Sequence, residues 1–305
     1  MDLLQESILK VVAYFDIFYY PVTAQEIMHF MDKPCTEQKL NFALNRLLND
    51  EIIFKTKDYF LFHKDQTWVL KRIKGNAAAT KQLKIAKKIA AFLTWFPFIK
   101  GVAVSGSLSK NIAHEDSDID FFIITKESRL WLSKLFFTSF IKCATIAGFK
   151  KWFCLNYVVD ETNLKVPEKN IFTATEIITL LPLYGASLFD SFFKANEWVY
   201  DFFPNHPVKK YAAKEYASNF SKKIIEWCLN NKQGDKADNA IMHYCNKRWK
   251  KLAAKNKFTE SGFQLGTMMA DKHFCRPFPE HFQQKILDRY DERIQALKTT
   301  LRIAI

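Results

Sequence analysis

The segment 106–120 joins two strongly apolar stretches, and it constrains the fold more than any other part of the chain. Residues 101–104 before it favour a buried strand, and residues 118–125, which begin within it, favour a second one. Gly106 has no Cβ atom, so the chain can turn sharply after the first strand and another group can approach its backbone closely. A strand, a tight turn and a second strand predict the core of a small α/β unit.

Two kinds of polar group in this segment indicate a metal and phosphate site. Asp118 and Asp120 lie two residues apart on the second predicted strand, and side-chain alternation puts both carboxylates on one face. Carboxylates this close repel each other, and a divalent cation (Mg²⁺ or Mn²⁺) relieves that repulsion. The backbone N–H groups at Gly106, the Ser107 hydroxyl and the Lys110 amine can bind phosphate oxygens. The segment therefore predicts a polyphosphate site facing a metal site, which is the minimum for phosphoryl or nucleotidyl transfer.

Gly106, Ser107, Asp118 and Asp120 make the chain resemble the DNA polymerase β-like nucleotidyltransferase superfamily, whose motif is Gly-Ser followed by Asp-x-Asp. The chain also resembles a group of uncharacterised bacterial nucleotidyltransferase-domain proteins with a winged-helix-like N-terminus and a helical C-terminus. The segments that carry this second resemblance are 154–157 and 182–185, with Asn196, Trp198, Phe203, Pro204 and Asn205. The resemblance implies Mg²⁺-dependent transfer of a nucleoside monophosphate from ATP or another nucleoside triphosphate to an acceptor hydroxyl, releasing pyrophosphate. The acceptor stays open, with nucleic acid and protein as candidates.

Active members of that superfamily usually place a third carboxylate on the next strand, where it binds metal and activates the acceptor. The strand predicted at 153–159 carries Asn156 at this interior position, and a neutral amide cannot act as a general base. Asp160 at the strand end and Glu176 on the following helix are the candidate replacements. The alternative hypothesis is a catalytically impaired domain that binds nucleotides or nucleic acid.

The flanking sequence predicts one further unit on each side of the core. Residues 1–74 contain three helical segments, the second capped by Thr23, followed by two short apolar runs, which is the order of a winged helix-turn-helix. Residues 75–165 hold the predicted nucleotidyltransferase core, with Gly75 expected to separate the two helices around it. Beyond 165 every segment favours helix, so residues 166–305 predict an all-helical domain.

Composition bears on partners and location. The 45 Lys and Arg residues outnumber the 32 Asp and Glu residues, and the net charge of +13 suits polyanionic partners as well as a solvated lysine-rich surface. The six cysteines lack zinc-binding spacing, and the N-terminus lacks a basic, apolar leader, so a reduced cytoplasmic protein is expected. Lys134 and Lys142 interrupt the most apolar stretch, 130–149, so no membrane span is predicted.

Overall fold

The computed structural model describes residues 2–114, 118–146, 153–208, 211–215, 219–255, 269–276 and 280–301. Within these ranges the helices are α1 (Leu3–Asp16), α2 (Ala24–Phe30), α3 (Glu37–Asn49), α4 (Gln66–Leu93), α5 (Gly106–Ser109), α6 (Leu130–Ile146), α7 (Ile171–Thr179), α8 (Ala186–Ala195), α9 (Val199–Phe202), α10 (Phe220–Leu229), α11 (Lys232–Ala253) and α12 (Glu280–Leu301). The strands are β1 (Val22–Thr23), β2 (Phe54–Thr56), β3 (Tyr59–Leu61), β4 (Ile99–Val104), β5 (Ile119–Thr125), β6 (Phe153–Asp160), β7 (Leu181–Tyr184), β8 (Met269–Ala270) and β9 (Phe274–Arg276). They form a three-stranded sheet of order β1-β3-β2 and a six-stranded sheet of order β7-β4-β5-β6-β9-β8. No helix in the described ranges is long and apolar enough to cross a bilayer.

The N-terminal unit, from α1 to β3, has the three helices and the hairpin that the sequence predicts. Helix α2 begins at a capping box, because the Thr23 side chain accepts from Glu26 N and the Glu26 side chain accepts from Thr23 N. Thr36 caps the N-terminus of helix α3, and its side chain accepts from Lys39 N. The unit's own core includes the fully buried side chains of Ile8, Leu9, Ile27, Met31, Leu40 and Leu47.

Helix α4 runs without a break through residue 75, so the prediction that Gly75 separates two helices was wrong. Close packing explains the glycine, because a Cβ atom there would lie 2.7 Å from Ile112 Cγ1. The Gly75 carbonyl oxygen also accepts a hydrogen bond from Ala113 N at 3.2 Å. Gly75 therefore marks the place where the segment after the Gly-Ser turn packs against α4.

The six-stranded sheet is covered by helices on both faces. The three strands predicted in the core are confirmed as β4, β5 and β6; β4 is antiparallel to β5, and β5 is parallel to β6. Side chains alternate along β5, so that Phe121 and Ile123 pack beneath α4 and α6. Phe122 and Ile124 face the other way and pack beneath α7 and α8. This second face is the one that borders the candidate site.

The prediction of an all-helical region beyond residue 165 was wrong, because three strands from that region join the sheet. Strand β7 pairs with β4, strand β9 pairs with β6, and β8 pairs with β9, all antiparallel. These strands are two to four residues long, which is too short for hydrophobic periodicity to separate them from helix. The sheet therefore contains strands from both the predicted core, residues 75–165, and the region predicted to be all-helical, residues 166–305.

Candidate functional site

The Gly-Ser turn and the second acid of the Asp-x-Asp pair are in direct contact. Gly106 has a φ of 66°, a left-handed conformation that side-chain-bearing residues rarely adopt. A Cβ atom at this position would overlap Asp120 Oδ2. Ser105 N donates to Asp120 O at 2.9 Å, which joins the end of β4 to the start of β5. Glycine is therefore required at position 106 by both the turn and the carboxylate beside it.

Asp118 and Asp120 lie on the same side of the sheet. Ile119 between them is buried in the core beneath α4 and α6, so alternation directs both acids towards the opposite face. Asp118 is exposed and directly precedes β5, whereas Asp120 is half-buried. Among the residues that the structure describes, no three His, Cys, Asp or Glu side chains gather as metal ligands. Two carboxylates fit Mg²⁺, which commonly binds one or two of them and takes its other ligands from substrate phosphates and water.

A cavity of about 530 Å³ opens beside Asp120. The motif forms its polar end, which includes Ser105, Gly106, Ser107, Lys110 and Asp120. Its apolar walls come mostly from α1, α7 and α12 and from the turn after α1, with Tyr14, Phe15, Phe18, Phe172, Ile177 and Phe282 among the lining side chains. Sequence reasoning missed α1 and α12 as borders of the site, because their residues lie far from the motif along the chain. The cavity can hold a ligand with one charged end and one flat apolar end.

Lys110 connects the Gly-Ser turn to α7. Its Nζ atom lies 3.2 Å from Gly106 O and 2.7 Å from Glu176 Oε1. Both side chains line the cavity, so Glu176 reaches the same space as Asp120 from a different element. Burial, together with the negative charge of Glu176, raises the pKa of Tyr14 far above its usual range. Tyr14 therefore stays a neutral phenol in the cavity wall.

Asp160 lies at the other end of the sheet, which corrects its assignment as a replacement third carboxylate. In the parallel β5–β6 pairing, Asp120 is opposite Cys154, and Asp160 is opposite Thr125, five residues farther along β5. Five residues of strand span about 16 Å. The Asp160 carboxylate is fully buried, accepts from Thr162 N at 3.0 Å, and lies 2.7 Å from His273 Nδ1. The Asp160 carboxylate therefore stabilises the turn after β6 and does not face the cavity.

Asn156 lies at an irregularity of the β5–β6 pairing, between Leu155 opposite Phe121 and Tyr157 opposite Phe122. The side chain of Asn156 is outside the described residues. Strand β6 contains no acid except Asp160. In the described chain, the carboxylates that line the cavity are those of Asp120, Glu168 and Glu176. Of the two replacements considered from the sequence, Glu176 is the one that shares a cavity with Asp120.

Tyr20 links the N-terminal unit to the turn. Its hydroxyl lies 2.8 Å from Lys110 O and 3.0 Å from Glu26 Oε1, and its single proton can serve one of them at a time. Arg72 of α4 donates to Glu26 Oε1 at 2.6 Å and stacks on the Tyr20 ring, with Cζ 3.4 Å from the centroid. Burial lowers the pKa of Arg72 to about 9, so the guanidinium remains charged at neutral pH, and burial raises the pKa of Glu26. The N-terminal unit and α4 therefore hold the backbone of Lys110 in place.

Residues 84–174 match the family model described as the nucleotidyltransferase domain. The matched segment contains the Gly-Ser turn, both acids and strands β4 to β6, and it ends two residues before Glu176. Searches of curated proteins and of solved structures find no match. The chain therefore carries a nucleotidyltransferase domain, in agreement with the resemblance to the DNA polymerase β-like superfamily.

Proposed function

We propose that the protein is a metal-dependent nucleotidyltransferase that transfers a nucleoside monophosphate from a nucleoside triphosphate to an acceptor hydroxyl, with release of pyrophosphate. One observation carries the proposal. The Asp120 carboxylate lies against Gly106 of a Gly-Ser turn, at the polar end of a cavity that also holds a lysine. Acid, turn and cation at one point give a metal-binding group, a phosphate-binding group and a counter-charge side by side.

The turn supplies the proposed triphosphate site. Helix α5 has only four residues, so individual donors, not a helix dipole, are expected to hold the phosphates. The exposed Ser107 hydroxyl and the Lys110 amine are those donors. Asp118 and Asp120 would hold Mg²⁺ or Mn²⁺. When bound, the ion would neutralise charge on the phosphates and make the acceptor hydroxyl more acidic.

Glu176 is the proposed general base for the acceptor hydroxyl. It lines the cavity with Asp120, and Lys110 Nζ holds its carboxylate in place from a distance of 2.7 Å. A carboxylate placed beside the acceptor can take the hydroxyl proton. Incoming phosphate oxygens compete with Glu176 for Lys110, and that competition would release the carboxylate towards the acceptor. Glu176 would then take the proton as the acceptor oxygen attacks the α-phosphorus and the pyrophosphate leaves.

The test is a transfer assay with α-labelled nucleoside triphosphates, Mg²⁺ or Mn²⁺, and a panel of RNA, DNA and protein acceptors. Wild-type protein should label one acceptor class and release pyrophosphate. Asp120→Asn should lose both metal-dependent triphosphate binding and transfer. Glu176→Gln should bind the triphosphate at least as tightly as wild type, because the phosphates no longer compete with a carboxylate for Lys110, but it should transfer at least 100-fold more slowly. Calorimetry and single-turnover rates can separate the two effects.

Glu168→Gln is the matched control for the base, because Glu168 lines the same cavity and is not bonded to Lys110. It should keep transfer within a few-fold of wild type. Loss of transfer in Glu168→Gln but not in Glu176→Gln would move the base to Glu168. No metal-dependent binding of any nucleoside triphosphate would reject the proposed function.

A further inference from the structure

The charge of α4 is the most one-sided of any long helix that the structure describes. Its 28 residues contain seven Lys and Arg residues and no acid. Arg72 is buried, and the other six are exposed lysines, namely Lys71, Lys74, Lys81, Lys84, Lys87 and Lys88. We propose that this helix binds the phosphate backbone of a nucleic acid, either RNA or DNA.

Four of these lysines form a row along one side of α4. Lys74, Lys81, Lys84 and Lys88 recur at intervals of seven, three and four residues, which return to nearly the same side of a helix. The row, defined here as these four residues, spans about 21 Å at 1.5 Å per residue. A single strand laid along a row of this length can bring several of its phosphates close to the four lysines.

The row lacks internal counter-charges. Across the part of the chain that the structure describes, no ion pair involves any of its four lysines, whereas Lys10, Lys100 and Lys110 each lie within 3.1 Å of a carboxylate. Neighbouring cations on one side of a helix repel each other. A polyanion relieves that repulsion and gains affinity by releasing its own counterions.

The row starts beside the candidate site. The segment of α4 from Gly75 to Gln82 packs on the rim of the cavity, where Gln82 Nε2 donates to His114 O at 2.7 Å. His114 itself lines the cavity. Just after the other end of α4, Trp95 is 62% exposed and offers a surface on which a base can stack. A strand bound along α4 can therefore reach the cavity mouth with one end.

The N-terminal unit offers a weaker surface to nucleic acid. Helix α3, the groove-binding helix in the winged-helix interpretation, has only two cations, Lys39 and Arg46. Arg46 lies 3.6 Å from the carboxylate of Asp2, and Glu37 adds an acid to the same helix. The α4 row is the better match to a phosphate backbone. That a strand end in the cavity is the acceptor rests on the proposed function, whereas binding to α4 does not.

The experiment is fluorescence anisotropy of a labelled 20-nucleotide single-stranded RNA, and of a DNA of the same sequence, with the full-length protein. Neither nucleotide nor metal is added, so the result does not depend on transfer. The test variant is Lys81→Gln/Lys84→Gln/Lys88→Gln. The matched control removes three exposed lysines from α11, as Lys232→Gln/Lys236→Gln/Lys247→Gln, and thermal melting checks that both variants fold.

The α4 variant should bind at least tenfold more weakly at low salt, and the slope of log affinity against log salt should become shallower by about two, since three phosphate contacts are lost. The α11 control should stay within twofold of wild type. No binding to RNA or DNA at low salt would overturn the proposal, and so would equal weakening in both variants. Binding to phosphatidylserine vesicles without binding to nucleic acid would overturn it in favour of an anionic membrane surface.

Discussion

The carboxylate of Asp120 occupies the space that a side chain at residue 106 would need. Gly106→Ala should therefore displace Asp120 as well as strain the turn, which has a φ of 66°. The left-handed conformation alone costs alanine roughly 1 to 2 kcal/mol. We expect metal-dependent triphosphate affinity to fall at least tenfold, measured by calorimetry with a non-hydrolysable analogue.

Gly185→Ala is the control for backbone strain. Gly185 also has a positive φ, 84°, and a Cβ atom at this position would lie 2.5 Å from Lys100 O, so the substitution should lower thermal stability. Gly185 precedes α8, away from Asp120, and folded Gly185→Ala should bind the triphosphate like wild type. Equal affinities of Gly106→Ala and wild type would show that the Gly106–Asp120 contact does not position the acid.

Asp160→Asn should impair stability and spare transfer. The buried carboxylate accepts from Thr162 N, Thr162 Oγ1 and Asn163 N and lies 2.7 Å from His273 Nδ1. Hydrogen bonds to charged groups contribute about 1.5 to 3 kcal/mol each, and the amide keeps some of them, so we expect a loss of about 2 to 3 kcal/mol in urea unfolding. Single-turnover transfer by the folded variant should stay within twofold of wild type. A folded variant with transfer as low as Asp120→Asn would return Asp160 to the active site.

The contact between Gly106 and Asp120 follows from local sequence. Two apolar strands joined by a glycine turn bring the end of the first beside the start of the second, and the spacing of the acids fixes their face. By contrast, Glu176 and Tyr14 reach the cavity through the packing of α7 and α1, and no periodicity specifies how separate helices dock. Local sequence therefore predicts that the turn and the acids are neighbours, but it could not choose between Asp160 and Glu176.

The wrong predictions for Gly75 and for strand β7 also arise from contacts between residues that are far apart in the sequence. Gly75 was interpreted as a helix break, but a single glycine costs a helix only about 1 kcal/mol, and packing against Ile112 offsets it. Strand β7 is four residues long and includes Pro182, so neither its length nor its composition separates it from a loop or helix end. Its place in the sheet is set by pairing with β4, which is a long-range contact.

Asp238→Asn should change how stability depends on pH. Asp238 is 2% exposed, and its carboxylate accepts from Leu132 N at 2.8 Å. Burial raises its pKa from 3.8 to about 6, with the negative charge of Asp160 adding to the effect. The folded state therefore favours the protonated form. This stabilising contribution is fully present below pH 3.8 and is lost as pH rises through about 6.

The loss corresponds to about 3 kcal/mol for a pKa raised from 3.8 to about 6. Asparagine is neutral at every pH, so the stability of the variant does not depend on this group. The free energy of unfolding of the variant should therefore rise relative to that of wild type as pH rises from about 4.5 to about 7. Urea unfolding of both proteins across this range measures the difference, in which other titrating groups cancel. A difference that does not change with pH would show that Asp238 is ionised in the folded protein throughout.

Because Gly75 packs on Ile112, the effect of Gly75→Ala on stability should change sign when Ile112 is replaced by alanine. In wild type, Gly75→Ala gains about 1 kcal/mol of helix propensity but places Cβ 2.7 Å from Ile112 Cγ1, and such overpacking costs about 1 to 3 kcal/mol. We expect a net loss of stability. Ile112→Ala removes the Cγ1 atom, so in that background the same substitution should stabilise by about 1 kcal/mol.

Chemical unfolding of the four proteins gives the coupling energy between the two sites, expected at about 1 to 3 kcal/mol from the cost of overpacking. Because Ile112 also lines the cavity, Gly75→Ala alone should weaken triphosphate binding, and the effect should be smaller in the Ile112→Ala background. If Gly75→Ala lowers stability equally in both backgrounds, the glycine is required by something other than the close approach of Ile112. The cycle thus tests whether the Gly75–Ile112 contact holds α4 against the segment after the Gly-Ser turn. This contact is what places the lysine row of α4 next to the site.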